Sequence, residues 1–111
     1  MTRQTNAIVR RCKRALERHY GPQLQGLVLY GSVARRRAEP ESDIDLLVLL
    51  AQPFDYSREL RQLVDVLYPI QLESDKVISA LPAAADEFEG GTQLLYRNAR
   101  KDGVYLSCVA G

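Results

Sequence analysis

The chain has 111 residues, 46% of them apolar and 26% charged, with a formal net charge of +1. Those values fit one globular domain spanning residues 1–111 and exclude a collagen-like or low-complexity chain. The longest apolar run, Leu46 to Ala51, falls far short of the roughly 20 residues that a membrane-spanning helix needs.

The first residues, Met1-Thr2-Arg3-Gln4-Thr5-Asn6, have neither the apolar stretch nor the small-residue site of a signal peptide, so a cytoplasmic protein is expected. Cys12 and Cys108 lack CxxC spacing, and with a single histidine no zinc set can be assembled. Cys12 is expected to pack in a core. Charge is unevenly distributed. Residues 1–37 carry nine of the fifteen Lys and Arg with Glu17 as the one acid, whereas residues 38–111 carry thirteen of the fourteen acids. Such a division suggests a basic surface beside an acidic one.

Residues 5–19 are predicted to be helical, with Ile8, Cys12, Ala15, Leu16 and His19 on one face and Arg10, Arg14 and Arg18 on the other. Gly21-Pro22 ends that helix. Leu24 to Tyr30 reads as a strand broken at Gly31-Ser32, and Asp43 to Ala51 as a second strand whose apolar second half suits burial on both faces. A helix capped by Ser57 or Asp55 follows, running to about Tyr68 with Leu60, Leu63, Val64 and Leu67 inward and Pro69 as its stop. A third strand is placed within Ile70 to Ala80. Pro82 then opens a helical turn through Phe88, a last helix runs from Thr92 to Gly103, and Val104 to Leu106 is extended. The order predicts an α/β or α+β domain: a small mixed sheet of three to four strands flanked by helices.

The segment between the first two strands carries the chemistry. A strand that ends in Gly-Ser before a helical turn presents free backbone N–H groups to an anion, and Gly31 leaves room for a phosphate to approach. The Ser32 hydroxyl adds a donor. Asp43 and Asp45, two apart in a strand, point to one face with their Cα atoms about 6.5–7 Å apart. Two carboxylates so placed repel unless cations lie between them, and two Mg²⁺ ions about 3.5–4 Å apart answer that need.

Gly-Ser, ten residues, then Asp-x-Asp arises by chance in a chain of this length about once in a thousand. Together with Leu27-Val28-Leu29-Tyr30 before it and Leu46-Leu47-Val48 after it, the pattern resembles the minimal nucleotidyltransferases of the DNA polymerase beta superfamily over residues 5–106. The resemblance implies transfer of a nucleoside monophosphate, AMP from ATP, to a hydroxyl acceptor with loss of pyrophosphate. It implies that Gly31 and Ser32 hold phosphates and that Asp43 and Asp45 ligate two Mg²⁺ ions. A third acid from a following strand would complete the site and help to deprotonate the acceptor. Asp75 is the favoured residue, as catalytic acid and third metal ligand, and Glu73 the alternative.

The family pattern Gly-Ser-x-Ala-Arg-Gly is altered here, with Arg36 in the place of the last glycine. Arg35, at the family position, is the expected phosphate contact among Arg35-Arg36-Arg37. Small domains of this kind resemble antitoxins that act with an all-helical HEPN-domain toxin, some by transferring AMP to a tyrosine of that partner. The acceptor would then be held by the partner or by a second copy of the chain. The alternative is an inactive binding module that keeps the fold and neutralises or scaffolds its partner. Nucleic-acid binding through Arg10, Arg14 and Arg18 is disfavoured by the absence of interleaved aromatics.

Overall fold

The computed structural model describes residues 3–30, 43–90 and 103–106. The last predicted helix lies almost wholly outside them, as do Gly31, Ser32, Arg35, Arg36, Arg37 and Cys108.

Helix α1 (Arg3–Tyr20) leads through a 3-10 turn (Gly21–Gln23) into strand β1 (Leu24–Tyr30). Gly21 ends the helix at φ 56°, a left-handed conformation in which a Cβ is strained. Strand β2 (Ile44–Leu50) precedes helix α2 (Tyr56–Leu72), strand β3 (Ile78–Ala84), the short helix α3 (Ala85–Gly90) and strand β4 (Val104–Leu106). The sheet is mixed, in the order β3-β2-β1-β4, with β2 and β3 parallel and the other neighbours antiparallel.

Alternation in the central strands divides the core into two layers. Leu27, Leu29, Ile44, Leu46, Val48 and Leu50 face α1 and α2, where Val9, Cys12, Leu16, Leu63, Leu67 and Ile70 meet them. Val28, Leu47 and Leu49 face the other way and pack with Ala83 and Phe88. With both faces covered, β2 is apolar at every position but Asp45, as its sequence predicts.

Three local expectations are corrected. The buried stripe of α1 is Val9, Cys12, Leu16 and Tyr20, while His19 is exposed and bonds Gln62 of α2 through Nε2 at 2.7 Å. Helix α2 is capped by Asp55, whose carboxylate accepts from the Arg58 N–H at 3.1 Å, but it runs through Pro69 to Leu72. Its inward residues include Leu63, Leu67 and Ile70, and Val64 is 61% exposed. Burial of Ile70 carries the helix past the proline, so the third strand begins only at Ile78, late in the predicted Ile70–Ala80 window, and runs on to Ala84. Pro82 therefore lies inside β3. It is tolerated because β3 is an edge strand whose outer N–H positions need no partner.

Candidate active site

Asp43 and Asp45 stand at the start of β2, with Ile44 between them wholly buried in the α1–α2 layer. The Ile44 N–H donates to the Val77 carbonyl at 2.8 Å, which pins this end of the strand to the β3 side. Alternation puts Asp45 on the opposite face, the side of Leu47, Leu49 and α3. There it pairs in register with Tyr30 of β1 and with Ser79 of β3. Asp43 is exposed and Asp45 half-buried.

Burial raises the Asp45 pKa above its ordinary value, and the neighbouring Asp43 charge raises it further. Tyr30 is raised as well, by burial first and then by the Asp45 charge. Among the described residues neither aspartate has an ion-pair partner. The pair is thus a pocket of unneutralised negative charge made of hard oxygen donors, which suits a divalent cation. The donor set fits Mg²⁺ as far as two carboxylates go.

The third acid is not gathered to them. Among the described residues no group of three or more His, Cys, Asp or Glu side chains is close enough to hold one metal ion. Strand β3, Ile-Ser-Ala-Leu-Pro-Ala-Ala, contains no carboxylate, and its residue opposite Asp45 is Ser79. Glu73 caps the C-terminus of α2 and pairs with Arg11 of α1 at 2.5 Å. Asp75 is exposed in the turn before β3. That turn is built by Gln71, whose Oε1 accepts the Ile78 N–H at 2.6 Å and whose Nε2 donates to the Lys76 carbonyl at 2.9 Å. Ser74 Oγ adds bonds to the Lys76 N–H at 3.0 Å and carbonyl at 2.9 Å. Sequence reasoning missed both Gln71 and Ser79. Gln71 gives no local signal, but Ser79 is the one polar residue of its strand.

Gly31, Ser32 and Arg35, expected from sequence to bind phosphate, fall in the connection 31–42, outside the described residues. The chain enters that connection from Tyr30, the β1 partner of Asp45, and leaves it at Asp43.

Comparison with known proteins identifies the domain. Residues 9–106 match the family described as the nucleotidyltransferase domain. The chain belongs to that family. Solved structures share the nucleotidyltransferase fold. One is a chain of a toxin–antitoxin complex with AMP-PNP, 23% identical, at a TM-score of 0.57 over 86% of this chain and 72% of that one. A second belongs to a mutant of the MntA–HpeT toxin–antitoxin, 22% identical, at a TM-score of 0.60 over 96% and 73%. A third, described as a nucleotidyltransferase of Sulfolobus solfataricus, is 18% identical at a TM-score of 0.57 over 98% and 90%. No curated protein sequence matches the chain. Among the described residues no helix is long and apolar enough to cross a membrane.

Proposed function

We propose that the chain is a cytoplasmic, Mg²⁺-dependent nucleotidyltransferase that transfers AMP from ATP to a hydroxyl acceptor. The observation that carries the proposal is the Asp43–Asp45 pair at the start of β2, unneutralised among the described residues, within a nucleotidyltransferase domain. In the reaction the acceptor oxygen attacks the α-phosphorus, the α–β P–O bond breaks, pyrophosphate leaves, and the acceptor proton passes to a carboxylate or to water. Asp43 and Asp45 would hold two Mg²⁺ ions, which supply charge neutralisation on the triphosphate oxygens. Gly31 and Ser32 would bind the β and γ phosphates through backbone N–H groups and a hydroxyl, and Arg35 would add a forked contact. The chain's own contribution is mainly positioning. Asp75, exposed in the turn before β3, would be the third acid that helps to deprotonate the acceptor.

The toxin–antitoxin neighbours, one of them bound to AMP-PNP, support ATP as the donor and a toxin as the partner. An all-helical HEPN-domain toxin is the partner we favour, with one of its tyrosines as acceptor. Incubation of the chain and that partner with ATP labelled at the α-phosphate should label the partner. Labelling should need Mg²⁺ and disappear in Asp43→Asn and Asp45→Asn. Asp75→Asn should slow it well beyond Glu73→Gln, because Glu73 is committed to Arg11.

A second reading, an inactive module that neutralises its partner by contact, is favoured by one observation: Ser79, and not an acid, stands opposite Asp45. Metal-dependent ATP binding without label transfer, together with an intact complex of the two proteins, would establish that reading over the first.

A further inference from the structure

Helix α1 carries six of the chain's fifteen basic residues, Arg3, Arg10, Arg11, Lys13, Arg14 and Arg18, and a single acid, Glu17. Arg10, Arg14 and Arg18 are exposed at spacings of four, so three guanidinium groups follow one another along the helix at intervals of about 6 Å. Like charges at that spacing destabilise a helix by about 0.2–0.5 kcal/mol per pair. Arg11, on the flank of that line, pairs with Glu73. An open depression of about 470 Å³ is lined by Ala7, Arg10, Arg11, Lys13 and Arg14.

The rest of that face narrows the ligand. No large apolar side chain of α1 is exposed, whereas α2 exposes Tyr56, Val64, Tyr68 and Leu72. A protein interface needs an apolar or aromatic centre, which α1 does not offer. Single-stranded nucleic acid is held by successive stacking on several aromatics, and α1 exposes a single ring, His19. A line of forked cations without exposed large apolar neighbours matches a line of phosphates on a duplex.

Position separates this surface from the active site. The buried stripe of α1 faces Leu27, Leu29 and Ile44, on one side of the sheet, and Asp45 faces the other. We infer that the outer face of α1 is a binding surface for the phosphate backbone of a nucleic-acid duplex, working independently of the carboxylate pair. Arg10, Lys13, Arg14 and Arg18 are its contacts. The aromatic rule that disfavours nucleic acid from sequence applies to single strands and leaves this mode untouched.

Fluorescence anisotropy of the full chain tests it, with labelled DNA and RNA duplexes of about 20 base pairs and a single strand of the same length as probes. Duplex binding is expected with log K falling against log salt at a slope of about −3 to −4, the value for about four neutralised phosphates. Arg10→Gln/Arg14→Gln/Arg18→Gln should weaken binding at least tenfold and flatten the slope by about 3. The same variant should melt at or slightly above the wild-type temperature, because repelling charges are removed. ATP with Mg²⁺ should not compete. The DNA and RNA arms distinguish the two sources of the shared backbone. No duplex binding at about 50 mM salt, binding unchanged in the triple variant, or equal binding of the single strand would overturn the inference. Because the readout needs neither ATP nor metal, its failure leaves the transferase reading untouched, and the converse holds.

Discussion

At the scale of the residue, the site is governed by how Asp45 is held. Its raised pKa means that folding favours the protonated carboxyl. Its contribution to stability is therefore present below the ordinary carboxylate value of 3.8 and is lost as pH rises through the raised value. In the absence of divalent cations Asp45→Asn should accordingly raise the thermal midpoint at neutral pH and leave it less changed near pH 4. The same substitution should remove most of the stabilisation that Mg²⁺ or Mn²⁺ confers on the wild-type chain; a thermal melt with and without metal reads both effects. Ser79→Asp would put a third carboxylate opposite Asp45. It should cost up to about 1 kcal/mol without metal through like-charge repulsion, and should bind Mn²⁺ more tightly by calorimetry. Cys12, buried in the α1 layer, has its thiol pKa pushed up to about 11, chiefly by burial, so it should resist alkylation at pH 8 until the chain unfolds.

At the scale of the element, α2 does most to arrange the site, because the residue at which it ends sets where β3 begins. Periodicity correctly marks Leu63 and Leu67 as inward, but it also marks Val64, which tertiary packing leaves in solvent. Leu63→Ala should cost about 2–5 kcal/mol in denaturant unfolding, and Val64→Ala no more than about 0.5 kcal/mol. Pro69 looks like a stop because local sequence carries the penalty of a proline in a helix but not the gain from burying Ile70 against the sheet. Near its other end, α2 brings Glu59 beside the buried Tyr20 hydroxyl of α1. That hydroxyl makes no bond of acceptable geometry, and burial followed by Glu59 raises its pKa. The aspartate cap and the glycine stop after α1 are different: each needs only its own neighbours, and both are legible in sequence.

At the scale of the whole molecule, the two faces of the sheet differ. Its α1–α2 side is a thick apolar layer with arginines on the outer face of α1, and its other side, the one Asp45 faces, carries a smaller apolar group around Phe88. Phe88 is completely buried and stacks edge-on with Tyr105 of β4 at 5.8 Å between ring centres. Phe88→Ala should cost about 3–5 kcal/mol and loosen α3 from the sheet, which hydrogen exchange in residues 85–90 would register.

The sequence by itself determined the class of the domain and the two central strands, with Asp45 at the start of the second. Each depends on patterns within a few residues: alternation in β2, apolar runs, and a glycine where a left-handed turn is needed. Only the tertiary structure decided which residue of β3 stands beside Asp45. That neighbour follows from the parallel register of two strands joined through a helix, and the register rests on the burial of Ile70 and on the Gln71 hydrogen bonds that build the turn. A shift in where α2 ends moves a different side chain into the site. The chain therefore declares its family locally, while the residue of β3 beside Asp45 is chosen by contacts between segments distant in sequence.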